Sequence, residues 1–259
     1  MNKTADSFST RMKRYEDAAS QILVSRMPVI IRVDGKNFSK LTRKWCNKPF
    51  DKHFIQCMEA AALHLCKDAQ NVRMAYFQSD EISILMTDYK TLNTYPWFDN
   101  KVQKIASVTA GLATGAFMDA FRFKFMMTEN TCDVPVGVIP SFDARCFNLP
   151  REEVANYFVW RQRDAERNSV SMAAYENFPH KELEGVNRKQ KMDMLMLRKG
   201  INWNDYDTVF KRGACIVKVQ EPHEGVMRSR WSTDWEIPIF AQQRDYVERY
   251  VREEERPAV

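Results

Sequence analysis

Glycine is scarce in this chain, at 8 of 259 residues, so a glycine beside a motif carries more weight than usual. No apolar run approaches the ~20 residues that a bilayer span needs. Met1 to Tyr15 is polar and has none of the apolar core of a secretory signal, so a cytoplasmic location is the expectation. The six cysteines (Cys46, Cys57, Cys66, Cys132, Cys146 and Cys215) contain no C-x-x-C pair and read as reduced thiols. His53, Cys57, His64 and Cys66 share one segment, but their spacing matches no common zinc pattern, and helix packing is the better reading. Repeats and low-complexity tracts are absent.

What is present is an ordinary globular composition, 44% apolar and 28% charged, with room for one large domain or two small ones. The net charge of +5 is compatible with a polyanionic partner. Lys and Arg gather at 188–191, 198–199, 211–212 and 226–230, all in the C-terminal half. Arg244 to Glu255 pairs Asp245 with Arg249 and Glu248 with Arg252 at i,i+4, the pattern of a solvated helix.

Residues 28–34 read as a buried strand that Pro28 opens and Asp34-Gly35 ends. A helix follows at 51–68, then strands at 72–78 and 82–87 joined by Ser79-Asp80-Glu81. A long helix is expected over 99–125, capped by Asp99 or Asn100, and a further strand within 137–148. The order β-α-β-β-α-β is that of the ferredoxin-like split βαβ unit, an α+β fold with an antiparallel sheet. After residue 150 the pattern turns mostly helical, over 150–178 and 187–197, with one strand at 214–219. Residues 1–149 thus read as a catalytic unit and 150–259 as a helical extension packed on it.

Two acidic clusters stand at strand ends: Asp34, after Val29-Ile-Ile-Arg-Val33, and Asp80-Glu81, after Val72 to Ser79. Either alone is an ordinary turn. In the split βαβ unit, however, the first and third strands are antiparallel neighbours, which brings Asp34 beside Asp80-Glu81. Carboxylates delivered to one point by two strands suit Mg²⁺ held against a nucleoside triphosphate. Gly35 and the basic Lys36 and Lys40 add backbone N–H groups and charge for phosphate. Lys101 and Lys104, at a helix start, either face solvent or meet an anion there. Met192, Met194, Met196, Leu195 and Leu197 read as core, and Trp160, Trp203, Trp231 and Trp235 as packing rather than base-stacking residues. Arg161 and Arg163 face different directions on their helix.

With these motifs in hand the chain resembles the tRNA-His guanylyltransferases and their relatives, the 3′-to-5′ nucleotidyltransferases. The matching pieces are Arg32-Val-Asp-Gly-Lys-Asn-Phe38, Lys48-Pro49, Ala75-Tyr-Phe-Gln-Ser-Asp-Glu81 and Lys104. Phe142-Asp-Ala-Arg145, Trp160-Arg-Gln162 and Lys211-Arg-Gly213 continue the match, within which Arg161, Lys211 and Arg212 are candidate RNA contacts. The resemblance implies a polymerase-like palm, a homotetramer, and tRNA, ATP and GTP as substrates. It implies two Mg²⁺ ions held by Asp34, Asp80 and the Gly35 carbonyl, with Glu81 as a supporting catalytic acid residue. Triphosphate contacts are implied for Gly35, Lys36, Asn37, Phe38, Ser39, Lys48, Ser79, Lys101 and Lys104.

Where the eukaryotic enzymes carry His-Ile-Asn-Asn-Leu-Tyr-Asn, this chain reads Glu166-Arg-Asn-Ser-Val-Ser-Met172, keeping only Asn168 of the polar set. In this it resembles the bacterial-type relatives, which add templated nucleotides to 5′-truncated tRNAs. A nucleotidyl cyclase with a similar palm, or a non-catalytic RNA-binding module of the same topology, are the competing readings.

Overall fold

Pro28 and the β-branched residues after it start β1 (Val29–Lys36), whose side chains alternate between two cores. Ile31 and Val33 face one core and Ile30 the other. The computed structural model describes residues 7–129, 140–223, 226–252 and 256–257. Upstream lies α1 (Phe8–Asp17), which buries none of its residues. After β1 comes a short helix absent from the sequence reading, α2 (Phe38–Trp45), and then α3 (Lys52–Asp68). Asp51 caps α3, accepting from Phe54 N at 2.8 Å.

Strands β2 (Val72–Gln78) and β3 (Glu81–Met86) form a hairpin in which Gln78 pairs with Glu81. Ser79 begins its two-residue turn with a φ of 47°. The long helix α4 (Val102–Glu129) starts later than expected. Phe98, Asp99 and Asn100 all have positive φ, so the chain before Val102 leaves the right-handed helical region and neither Asp99 nor Asn100 caps it. Strand β4 (Ser141–Asn148) follows, and the expected 137–139 lie outside the described residues.

β1 lies between β3 and β4 and is antiparallel to both, with Asp34 opposite Glu81 on one side and Asp143 on the other. The expected adjacency of the first and third strands is therefore observed. Helices α3 and α4 cover one face. The other face packs on α5 (Arg151–Asn177). Then come α6 (His180–Leu183), α7 (Arg188–Lys199), α8 (Thr208–Arg212), β5 (Ala214–His223), β6 (Val226–Asp234), α9 (Asp245–Val251) and β7 (Arg256–Pro257).

The C-terminal part is less helical than the sequence suggested. β5 pairs with β2 and β6 with β5, giving the antiparallel order β4-β1-β3-β2-β5-β6, and β7 adds to β5 in parallel. β6 escaped notice because its first half is exposed and basic, with no apolar alternation to mark a strand.

Helix α9 also departs from expectation. Its ion pairs form, Asp245–Arg249 at 3.2 Å and Glu248–Arg252 at 3.6 Å, but Tyr246, Val247, Tyr250 and Val251 are buried in the second core. Residues 253–255 of that stretch lie outside the described residues. In α7, Leu195 is buried as expected, whereas Met196 and Leu197 are exposed. Among the described residues no helix is long and apolar enough to cross a membrane.

Candidate active site

Asp34 and Asp80 come together at one end of the central strands because β1 ends where β3 begins. Gly35 N donates to the Asp80 carbonyl at 3.0 Å. A Cβ on Gly35 would come within 2.9 Å of Asp80 Oδ2 and 2.5 Å of the Phe38 ring, so only glycine lets the two motifs close on each other. Burial raises the Asp80 carboxyl above the ordinary carboxylate range, and the charges of Asp34 and Glu81 add to the rise. Its backbone and the Ser79 hydroxyl, 3.1 Å from Oδ1, offset part of it.

Asn37 has a φ of 67° and makes no side-chain cap, so the first N–H groups of α2 remain available for an anion. Lys36, Asn37 and Ser39 are exposed around this point. Phe38 is buried among Phe54, Phe117 and Phe142, so it offers only its backbone. Beside this cradle opens a cavity of about 260 Å³, whose lining includes Ser39, Lys48, Ser79 and Asp80. Helix α5 closes its far side with Asn168, Ser169 and Met172. Burial, then Asp51, pushes the Cys46 thiol in this wall up to about 12, which leaves it protonated and no nucleophile.

Glu81 occupies a different post from the two aspartates. It is 3% exposed, and Arg161 Nε and Nη2 grip its two carboxylate oxygens at 2.7 and 2.5 Å. Arg32 Nη2 bridges Glu81 Oε2 at 2.9 Å and Asp34 Oδ2 at 3.2 Å. Both Glu81 oxygens are spent on guanidinium groups, so Glu81 orients the turn rather than facing a substrate. The same geometry corrects Arg161 as an RNA contact, because the side chain is 3% exposed and neutralised inside the protein.

Lys101 and Lys104 are corrected too. Thr114 Oγ1 of α4 accepts from Phe142 N beside Gly35, while Val102 O accepts from Cys146 Sγ, opposite Ile31. The start of α4 therefore lies at the other end of the sheet, with Lys104 roughly 15 Å along the helix from Thr114. Both lysines are exposed there, and Lys104 Nζ sits 4.7 Å from the Phe98 ring centre. Lys211 Nζ donates to Asn204 O at 2.6 Å, and the Arg212 carbonyl accepts from Tyr76 OH at 2.8 Å. His53 and His64 are exposed while Cys57 and Cys66 are buried, so the four do not converge.

A family model described as tRNAHis guanylyltransferase matches residues 9–150. A probable tRNA(His) guanylyltransferase of Dictyostelium discoideum is 30% identical over 225 residues, covering 81% of this chain and 84% of the relative. This chain belongs to the tRNAHis guanylyltransferase family. It is accordingly a nucleotidyltransferase by family. A bacterial tRNA(His) guanylyltransferase-like protein, solved in complex with ATP, is 45% identical with a TM-score of 0.84, covering 95% of this chain and 99% of that one. A second such structure, in complex with GTP, is 42% identical with a TM-score of 0.79 over the same shares. The Saccharomyces cerevisiae guanylyltransferase, 21% identical with a TM-score of 0.67, shares the fold across 90% of this chain and 98% of its own.

The donor set of this family member suits Mg²⁺. Among the described residues no three His, Cys, Asp or Glu side chains group as a metal cage. Mg²⁺ needs no such cage, since one or two carboxylates and substrate phosphates complete its shell. Two neighbouring carboxylates, one held above its ordinary pKa by burial, are charge that a hard cation relieves. Gln78, within the Ala75–Glu81 motif, and Ser169 and Met172, within the divergent stretch, were given no role from sequence, and Phe210 was not noticed, because a strand and two helices bring them together only in the fold. Asn168 alone was visible, as a retained polar residue in the divergent stretch.

Proposed function

We propose that this chain extends the 5′ end of tRNA by 3′-to-5′ nucleotidyl transfer, with ATP and GTP as substrates, on a polymerase-like palm built from the βαββαβ sheet. The observation that carries the reading is the β1–β3 pairing, which brings Asp34 beside Asp80, a residue of the cavity wall, next to the free N-terminus of α2. ATP- and GTP-bound relatives of the same fold support it. Two Mg²⁺ ions held by Asp34, Asp80 and the Gly35 carbonyl would lower the pKa of the attacking hydroxyl and neutralise triphosphate charge.

The α2 N–H groups, Lys36, Ser39, Ser79 and Lys48 bind and orient the triphosphate. In the addition step the 3′-hydroxyl oxygen of the incoming nucleotide bonds to the tRNA 5′ phosphorus. The activating AMP, or pyrophosphate from a 5′ triphosphate, leaves. Phe38 and its aromatic neighbours fix the cradle from below. We place the protein in the cytoplasm as a homotetramer, with residues 1–149 as the catalytic unit and 150–259 as its extension, in line with the family resemblance.

The test offers 5′-labelled tRNAs, full-length and 5′-truncated, with each nucleotide separately. Template-dependent addition to the truncated tRNA is expected, and Asp34→Ala and Asp80→Ala each abolish it. Cyclic GMP from GTP alone would mark a cyclase instead, and addition that survives both substitutions sinks the carboxylate mechanism.

A further inference from the structure

Trp203 is buried and Trp231 and Trp235 are half-buried, in keeping with packing, but Trp160 is 54% exposed. Packing alone therefore does not account for Trp160. Its ring is held all the same. The Arg161 guanidinium carbon sits over it, 4.4 Å from the ring centre, and the Tyr157 ring meets it at 69° with centroids 5.9 Å apart. Both backing groups are themselves fixed. Arg161 is gripped by Glu81, and Tyr157 by Ser83 Oγ at 2.9 Å and by the Phe147 ring of β4. An indole clamped from inside and open to solvent is a stacking surface formed in advance.

The ring is linked to the acidic centre by contact. From Trp160 through Arg161, Glu81 and Arg32 to Asp34, each group touches the next. It also stands on the flank that the cavity leaves open. The cavity takes its lining from α2, α3 and the loop between them, the tip of the β2–β3 hairpin, α5 and the end of α8. None of that lining is β4, whereas Tyr157 ties Trp160 to β4. On this flank Arg145 of β4 lies opposite Arg32, two residues from Phe147 and so on the same sheet face, with its side chain exposed. Its hydrogen bond to Asp143 raises its pKa and the charges of Asp34 and Glu81 add to the rise, which sets its guanidinium in their field. Arg163 and Arg167 follow Trp160 at i+3 and i+7 on one face of α5, and both are exposed.

Addition at a 5′ end brings two molecules to one pair of carboxylates, a triphosphate and an RNA. With the triphosphate in cradle and cavity, the RNA end reaches Asp34 from the β4 flank. Every base has a π-face, so a stacking ring there takes any terminal nucleotide, and arginines beside it suit phosphates. We propose that the open face of Trp160 is the platform on which the 5′-terminal base of the RNA stacks, with Arg145 taking a backbone phosphate beside it. This rests on the reading of the chain as a 5′-end nucleotidyltransferase.

The full chain is assayed for addition to 5′-truncated tRNA. Trp160→Ala is expected to raise the KM for the tRNA about tenfold, the worth of one base stack, and not the KM for the nucleotide. Trp160→Phe keeps a stacking ring and is expected to restore most of the tRNA affinity. Binding of the tRNA quenches indole fluorescence in the wild type, and in Trp160→Phe most of that quenching is lost although the tRNA still binds. Arg145→Gln raises the tRNA KM and flattens its dependence on salt. An unchanged tRNA KM in Trp160→Ala, with addition intact, overturns the platform and leaves the nucleotidyltransferase reading standing. An unchanged KM and salt slope in Arg145→Gln overturn the part given to Arg145. If Trp160→Ala instead falls into smaller assemblies by sedimentation, the ring belongs to a contact between copies and the platform is overturned. Wild type that extends no RNA overturns the underlying reading, and the platform with it.

Discussion

Asp80 illustrates how a single side chain trades stability for chemistry. Its carboxyl is raised above the ordinary range by burial first, and then by Asp34 and Glu81. The folded protein therefore holds the Asp80 proton more tightly than the unfolded chain does. Ionising it costs stability as pH rises from the ordinary carboxylate value through the raised one, and the cost is complete once pH lies above the raised value. Asp80→Asn is expected to melt higher than wild type at neutral pH without divalent cations, with the gap closing as pH falls through that window. The same substitution is expected to lower nucleotide addition by about 10³-fold or more, the scale of losing a preorganised electrostatic group. Thermal melts across pH and single-turnover addition check the two halves separately. Asp34-Gly35 was legible because its signal is local, a β-branched run broken by a turn pair. Glu81 was misplaced because the arginine that takes it lies 80 positions away.

Helix α5 ties the acidic turn and the C-terminal segment together at adjacent residues. Arg161 grips Glu81, next to Asp80, while Gln162 donates to Pro238 O at 2.9 Å and accepts from Phe240 N at 2.8 Å. One turn further on, the same helix presents Ala165, Asn168 and Ser169 to the cavity. Arg161→Met leaves the Glu81 charge buried against Arg32 alone and is expected to cost about 3–5 kcal/mol of stability by denaturant titration. The double variant Arg161→Met with Glu81→Gln removes the stranded charge and is expected to recover most of that loss. Its addition rate stays low, because the turn carrying Asp80 has lost its tether; recovery of both together would reduce the pair to a folding device. The tripeptide Trp160-Arg-Gln162 was legible as a motif but its work was not, since helical spacing says which face a residue shares and not what it meets. Lys101 and Lys104 failed for the same reason. A helix start can be read from sequence, but not the end of the sheet where it lands.

At the scale of the molecule, the extension is part of the sheet. β5 pairs with β2 from Met74↔Val217 to Phe77↔Ala214, and Cys215 and Val217 share a core with Ile30, Met74 and Tyr76. A fragment ending at residue 149 would expose that whole face and lose the α5 tether. It is expected to show no cooperative thermal transition by circular dichroism; a sharp melt near that of the full chain would instead make it an independent domain. The first three strands were legible because each is a short, mostly apolar run bounded by turn residues, and β4 because apolar and polar residues alternate through part of it. β5 was legible as well, from the apolar run at 214–219, but β6 was not, because it is an edge strand whose exposed basic half carries no period.

The strand order also has a temporal side. Ile30 pairs with Phe147, Ala75 with Ile216, and Glu81 waits for Arg161, so the contacts that frame the site join distant parts of the chain. Loop closure of that span must be met before such contacts return anything, which makes high-contact-order regions form late. Recovery of nucleotide binding after dilution from denaturant is expected to lag behind the recovery of helical signal. On the ribosome the consequence is an ordering rule, in which the polypeptide has no working centre until β5 has emerged and a half-made copy handles no RNA.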